Sequence, residues 1–134
     1  MRMFDVQGIE ILAPRDKVFE FLRDPSNLPK WAHAFTSAED GRARLETPGG
    51  AVDVHLGVSA DLGTGTVDWR LEFPDGTVGL AQSRVTETTR GTSIYSFVLH
   101  APPIALERVE GALEAQRATL QSELATLKAL MEQR

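Results

Sequence analysis

The sequence predicts an α+β fold: an antiparallel sheet of about seven strands, a long C-terminal helix, and two short helices after the first strand. Three observations predict it. Short segments with alternating polarity are separated by Gly- and Pro-containing turns, as in a meander of strands. Apolar residues that recur with helical spacing follow Pro102-Pro103. In Ile9–Trp31, a strand, a helix and a Pro-rich segment follow one another directly.

The first strand is predicted over Phe4–Leu12, where apolar and polar residues alternate weakly. Pro14 fits the first helical position, where the missing N–H costs nothing. Asp24-Pro25 ends this helix, because a residue that precedes proline is disfavoured in the helical region. The helix carries an apolar face formed by Val18, Phe21 and Leu22, with Phe19 beside it.

Six further strands are predicted from the turn signals, over residues 35–40, 42–47, 51–60, 64–73, 77–87 and 92–100. Val54 and Leu56 share one face of their strand, and Trp69 and Leu71 share one face of the next. Such one-sided strands indicate a sheet with one solvated and one covered face. The last strand leaves the covered set open between Ile94, Ser96, Val98 and His100 on one side and Tyr95, Phe97 and Leu99 on the other.

The final helix is predicted over residues 104–131, with an apolar stripe that is interrupted at Gln116-Arg117. Its second half is rich in leucine, whereas its first half contains Gly111 and several alanines. We infer that the second half packs tightly on the sheet. The first half is expected to span a space that its own side chains do not fill.

Composition limits the function classes. The chain has 134 residues, a formal net charge of −5 and no cysteine, which fits a single domain over residues 1–134 and excludes disulfides and thiolate metal sites. An acidic chain without a Lys/Arg cluster argues against nucleic-acid binding. No apolar run approaches the ~20 residues that span a bilayer, and no secretory signal is apparent. A cytoplasmic protein is therefore expected.

The pattern I-x-I-x-A-P-x-x-x-V-F-x-F-L-x-D-P-x-N-L-P-x-W over Ile9–Trp31, together with the order of elements, resembles the START-like helix-grip superfamily (SRPBCC). Within it, the chain looks most like the bacterial polyketide cyclase/dehydrase and lipid-transport group. The resemblance implies a curved sheet that grips the long helix, with an apolar cavity between them. The superfamily shares no catalytic motif, so the resemblance assigns only packing roles within Ile9–Trp31.

Three functions follow as hypotheses. The first is binding of a hydrophobic small molecule, such as a lipid or polyketide, between the sheet and the first half of the last helix. The second is a cyclase, aromatase or dehydratase in which His33 or His100 acts as general acid or base. The third is a protein-interaction module with an exposed apolar patch. The sequence leaves turnover, ligand identity and oligomeric state open.

The candidate site residues combine apolar positions of the covered faces with a few polar residues that would orient a ligand. A metal site formed by His33, His55 and His100 would need His55 on the covered face, against its own alternation. No metal and no cofactor are therefore predicted. The predicted ligand-binding residues are Trp31, His33, Val54, Leu56, Trp69, Leu71, Gln82, Ser96, Leu106, Val109 and Leu113.

Overall fold

The computed structural model describes residues 3–47, 49–102 and 106–133, and the side chains of residues 106–110 lie outside this description. The predicted fold class is confirmed within these residues. Its elements, in chain order, are β1 (Phe4–Ile11), α1 (Arg15–Arg23), a 3₁₀ turn (Pro25–Asn27), α2 (Leu28–Trp31), β2 (Phe35–Glu39), β3 (Gly41–Thr47), β4 (Gly50–Asp61), β5 (Thr66–Glu72), β6 (Val78–Glu87), β7 (Ser93–His100) and α3 (Leu106–Met131).

The seven strands form one antiparallel sheet with the order β1-β7-β6-β5-β4-β3-β2. From β2 to β7, every strand pairs with the next strand along the chain. Strand β1 instead pairs with β7, so that Phe4 lies opposite His100 and Ile11 lies opposite Ser93. The first and last strands in sequence therefore join at one side of the sheet, beside helix α3.

The alternation of β4 and β5 sets the two faces of the sheet. Val54 and Leu56 are buried, whereas Asp53 and His55 are exposed. Trp69 on β5 is also buried. The face that carries these buried residues is called the inner face below, and the opposite one the outer face.

Strand β7, which the sequence left open, turns the Tyr95 set inward. Tyr95 and Phe97 are buried, while Ile94 is 45% exposed. Since neighbouring residues of a strand point to opposite faces, Ser96 and His100 belong to the outer face. The hydroxyl of Ser93, also on the inner face, is buried and donates to the Ala13 carbonyl oxygen at 2.8 Å.

The first helix begins one residue later than predicted. Pro14 is the N-cap residue, because its ψ of 147° is extended, and Asp24 caps the other end. The Asp24 side chain then accepts a hydrogen bond from the Ser26 backbone N–H and thereby starts the 3₁₀ turn. Val18, Phe19 and Leu22 are buried, and Phe21 is only partly buried.

Helix α3 runs alongside β1 in the same direction. The Arg117 carbonyl oxygen accepts from the Gln7 side chain, and further along the helix the Lys128 ammonium donates to the Glu10 carbonyl oxygen at 3.0 Å. The Lys17 ammonium donates to the Met131 carbonyl oxygen. The predicted leucine-rich half is part of the core, through Leu120, Leu124, Leu127 and Met131.

The turn between β4 and β5 packs against helix α1 and is hydrogen-bonded to it. Gly65 is buried with a φ of +75°, and its N–H donates to the Asp61 carbonyl oxygen at 2.8 Å. The guanidinium of Arg15 lies over this glycine and donates to the Leu62 carbonyl oxygen. The Gly65 carbonyl oxygen accepts from the Val85 N–H at 2.8 Å, so the turn is also joined to β6.

Candidate functional site

Four aromatic rings meet on the inner face and are called the aromatic cluster: Trp31, Trp69, Tyr95 and Phe97. The centroid of Trp31 lies 6.2 Å from that of Trp69 and 6.3 Å from that of Tyr95. Phe97 lies 6.1 Å from Trp69 and 6.2 Å from Tyr95. The Trp69–Phe97 pair is stacked and the other three pairs are tilted or edge-on, and aromatic pairs prefer separations and angles of this kind. The ring from α2 thus closes onto rings from β5 and β7.

Small residues on β6 allow these rings to meet. Strand β6 lies between β5 and β7, and Trp69 faces Ala81, which in turn faces Leu99. Ser83, the next inner residue, faces Phe97. Because alanine and serine cover little of the sheet, the large rings of the flanking strands contact each other across them.

The aromatic cluster contains one buried hydrogen-bond donor without a partner among the described residues, the Trp69 indole Nε1. Burial raises the pKa of the Tyr95 phenol far above its ordinary value of 10.0, and the nearby Ser83 hydroxyl opposes this shift only in part. The Ser83 proton is donated to the Val67 carbonyl oxygen at 2.5 Å. At neutral pH the phenol therefore keeps its proton, and its side-chain hydrogen bond with Ser83 gives that proton an acceptor.

An open cleft of about 760 Å³ lies at one end of the sheet, where β2, β3 and β4 meet the turn between β5 and β6. It has an apolar part, formed by Ala38, Ala43, Val54 and Phe73, and a charged rim, formed by Glu39, Arg42, Arg44, Asp53 and Glu72. His55 of β4 faces Glu72 at the end of β5, and Leu99 near the end of β7 faces Ala81 near the start of β6. The cleft and the end of β7 therefore lie on the same side of the sheet. Helix α3 follows from that same side of the sheet.

The predicted ligand-binding residues divide into four groups, one of which is the exposed His33 alone. Trp31, Val54, Leu56 and Trp69 are buried on the inner side, Leu71 is partly buried there, and Leu113 is buried on α3. The side chains of Leu106 and Val109 lie outside the described residues. Gln82 and Ser96, by contrast, lie on the outer face.

The structure places the ligand-binding candidates Gln82 and Ser96 away from the inner face. Ser96 alternates with the buried Tyr95 and Phe97, and Gln82 alternates with the buried Ser83. Gln82 uses its Oε1 for a contact of 2.9 Å with His100 Nε2 on the same outer face. The sequence did not assign their faces, because each strand carries apolar residues on both of its faces.

Neither candidate catalytic histidine belongs to the aromatic cluster. His33 is exposed between α2 and β2, with its Nε2 atom 3.4 Å from the Thr126 hydroxyl. His100 is on the outer face, and His55 is exposed, as its alternation predicted. Among the described residues, no group of three or more His, Asp or Glu side chains is arranged to hold a metal ion.

Glu123 is a titratable group that the sequence analysis missed. Its Oε2 accepts the His33 backbone N–H at 2.6 Å, which joins α3 to the segment after α2. Desolvation raises the pKa of this carboxyl above its ordinary value of 4.5, and the hydrogen bond from His33 opposes the shift. Glu123 flanks the leucine stripe beside Leu124, and that position is the only sequence signal for its burial.

The raised pKa of Glu123 predicts a pH-dependent effect of Glu123→Gln. The folded state holds the proton more tightly than the unfolded state, so this group favours folding below about pH 4.5. That contribution is lost as pH rises through the folded-state pKa. Glutamine keeps an acceptor for the His33 N–H and does not ionise. The stability of Glu123→Gln relative to the native chain should therefore increase between pH 4 and pH 7.

Urea unfolding at both pH values measures this difference. Glu87→Gln, which removes an exposed carboxylate of β6, is the matched control for the loss of one negative charge. A stability difference between Glu123→Gln and the native chain that is the same at pH 4 and pH 7 would contradict the prediction.

The interruption of the helical stripe at Gln116-Arg117 has a structural explanation. Arg117 Nε lies 3.2 Å from Oδ1 of Asp5, which is buried on the inner face of β1. Gln7 donates to the other Asp5 oxygen at 2.9 Å and to the Arg117 carbonyl oxygen at 3.0 Å. The apolar stripe of α3 is thus interrupted by a polar contact where the helix lies beside the start of β1.

A family model agrees with this architecture over nearly the whole chain. The model for polyketide cyclase/dehydrase and lipid transport matches residues 4–132. The chain belongs to this family. Its START-like, SRPBCC fold was expected from Ile9–Trp31 and is now confirmed. The polyketide cyclase/dehydrase family is associated with hydrophobic small molecules, which fits an inner face that carries the aromatic cluster.

Solved structures share the fold of this family member at low sequence identity. The XoxI protein of Bacillus cereus is 14% identical with a TM-score of 0.72, covering 97% of this chain and 96% of its own. A START superfamily protein of Mycobacterium smegmatis is 14% identical with a TM-score of 0.71, covering 98% of both chains. The Zhui aromatase/cyclase of Streptomyces sp. R1128 is 12% identical with a TM-score of 0.69, covering 96% of this chain and 93% of its own. No curated protein matches the sequence significantly.

The described helices are too short or too polar for a membrane span: none combines sufficient length with sufficient apolar character.

Proposed function

We propose that this protein binds a hydrophobic small molecule between the inner face of the sheet and helix α3. The cleft of about 760 Å³ carries the proposal, because its lining includes the inner-face residues Ala43 and Val54 at the side of the sheet from which α3 follows. Its apolar part includes Val54 and Phe73, and the aromatic cluster lies further along the same face. Removal of apolar ligand surface from water would supply about 25 cal/mol per Å².

The enzymatic alternative has less support. It required the His33 or His100 imidazole inside the cavity, and both side chains lie on other parts of the surface. Among the described residues, His55 is the imidazole that lines the cleft, and it lies on the exposed outer side of β4. We therefore propose binding without assigning a catalytic residue.

The protein-interaction alternative has one observation in its favour. Phe4 and Val6 on the outer face of β1 are 53% and 56% exposed, and Val6 lies beside Val98 of β7. Leu80 of β6 is 49% exposed on the same face. The described residues give no indication of what would cover this patch, so we keep the small-molecule proposal.

Phe73→Ser should lower the affinity of the purified chain for Nile red, an uncharged hydrophobic dye, by about tenfold. Phe73 lines the cleft and is only partly buried, so a serine there removes ligand contact at modest cost to the fold. A lost phenylalanine contact of about 1.4 kcal/mol corresponds to a factor of ten. Dye titration by fluorescence measures this change, and circular dichroism verifies the fold.

Phe4→Ser is the matched control, because it removes the same side chain from the outer face, where Phe4 is 53% exposed. The proposal requires the control to bind the dye like the native chain. It fails if the native chain does not bind the dye, or if Phe4→Ser weakens binding as much as Phe73→Ser does.

A further inference from the structure

Gly79 of β6 lies against the ring of Phe73, at the apolar part of the cleft. It faces Leu71 of β5 and precedes the inner-face residue Ala81 by two positions, so it belongs to the inner face as well. A Cβ atom at position 79 would lie 3.5 Å from Phe73 Cε2 and 3.8 Å from Leu71 Cβ. The Phe73 ring therefore occupies the space that a larger side chain on Gly79 would take.

The backbone of Gly79 gives no reason of its own for a glycine. Its φ is not positive, unlike that of Gly76 in the turn before β6. A glycine inside a strand weakens the strand, and it often marks a place where another group approaches closely. The approach of the Phe73 ring is such a reason, because it leaves room for little more than a methyl group.

Phe73 connects this contact to the cleft. Its ring contacts Gly79 on the sheet, and the residue also lines the cleft. Its backbone is fixed by the turn between β5 and β6: the Phe73 N–H donates to the Thr77 carbonyl oxygen, and the Gly76 N–H donates to the Phe73 carbonyl oxygen, both at 2.9 Å. The Asp75 carboxylate accepts the Thr77 N–H at 3.0 Å and holds the turn further.

The position of this ring decides how much apolar space the cleft offers. Because Gly79 has no side chain, the ring lies against the backbone of β6. A branched side chain at this position would displace the ring from the sheet, since packed interiors have no spare volume. The hydrogen bonds of the turn resist a shift of the backbone, so the ring would move toward the cleft that it lines.

We propose that Gly79 limits the size of the ligand that the cleft accepts, as a positioning residue that acts through the ring of Phe73. This inference rests on the proposed function and adds the residue that determines its size selectivity. Gly79 itself need not touch the ligand.

Two uncharged dyes of different size test this role: Nile red, which is the larger, and prodan, a smaller naphthalene derivative. Gly79→Val should bind Nile red about tenfold more weakly than the native chain, and prodan at most about threefold more weakly. Gly79→Ala should bind both dyes like the native chain, because its Cβ atom would make ordinary van der Waals contacts with Phe73 and Leu71. Fluorescence titration of the full chain measures all four affinities.

Gly57→Val is the matched control. Gly57 also lies inside a strand without a positive φ, but it is exposed on the outer face, where a Cβ atom would lie 3.9 Å from Arg70 Cβ. It lies outside the lining of the cleft. This variant should bind both dyes like the native chain.

Phe73→Ser shows whether the effect of Gly79→Val depends on the ring. In the Phe73→Ser background, Gly79→Val should change the affinity for Nile red by less than about twofold, because the ring that it would displace is absent. The midpoint of urea unfolding should follow the same pattern, with a decrease in the native background and a much smaller one in Phe73→Ser. This second measurement applies even if Gly79→Val alone folds too poorly for titration.

Two results would overturn the inference while leaving the proposed function intact. The first is that Gly79→Val weakens the binding of both dyes equally, or of neither, while Nile red binds the native chain. The second is that Gly79→Val has the same effect on Nile red binding and on stability with and without the Phe73 ring. Failure of the native chain to bind Nile red would instead remove the proposed function itself.

Discussion

Gly65→Ala should destabilise the folded chain by about 2–5 kcal/mol. Two independent costs add at this position. A side chain at φ +75° costs roughly 1–2 kcal/mol relative to ordinary backbone. A Cβ atom there would lie 2.3 Å from the Val85 carbonyl oxygen and 3.0 Å from the Arg15 guanidinium, and overpacking of this kind costs about 1–3 kcal/mol more. Urea unfolding followed by circular dichroism measures the change.

Gly91→Ala separates the two costs. Gly91 has a similar φ of +78°, but a Cβ atom there meets nothing within 4 Å. Its replacement should therefore cost only the conformational part, about 1–2 kcal/mol. Equal destabilisation by Gly65→Ala and Gly91→Ala would contradict the steric argument, because the backbone of β6 would then have moved away from the turn without penalty.

Leu127→Ala should destabilise the chain by about 3–5 kcal/mol. Leu127 is fully buried in the leucine-rich half of α3 and belongs to the continuous core. Truncation of such a leucine loses its transfer free energy and leaves a cavity that a packed core closes only in part. The midpoint of urea unfolding and the slope of the transition give the free energy.

Leu113→Ala is the corresponding change in the first half of the same helix. Leu113 is 3% exposed, but it is not part of the continuous core that the described residues form. We expect a cost below about 2 kcal/mol, because fewer core atoms surround the lost side chain. We also expect weaker dye binding in this variant and unchanged dye binding in Leu127→Ala. Equal costs for the two variants would show that the first half is packed as tightly as the second.

Strong alternation made much of the sheet predictable. On β4 and β5, Val54, Leu56 and Trp69 alternate with polar residues, and the inner face follows from a period of two. Strand β7 gives no such contrast, since Ile94 and Val98 are as apolar as Tyr95 and Phe97. The choice there depends on which set fits against the small residues of β6. That is a property of the packed sheet, which a single strand does not encode.

The polar contacts of α3 could not be predicted for a different reason. Glu123 meets the His33 N–H across 90 positions of sequence, and Arg117 meets Asp5 across an even longer separation. A lone charged residue in a helix predicts a solvated side chain, and only the approach of a distant segment of the chain reverses that expectation. The unpaired indole N–H of Trp69 was equally unpredictable, because a tryptophan on an alternating strand indicates only a core position.

The pairing of β1 with β7 bears on the order in which the molecule assembles. Strands β2 to β7 join through short turns, so each of their pairs closes a small loop at little entropic cost. The pairing of β1 with β7 brings Ile11 to Ser93. It therefore closes one long loop that contains strands β2 to β6. Contacts of such long sequence separation slow folding. The entropic barrier of folding is thus concentrated where the two ends of the chain meet, at β1 and the helix beside it.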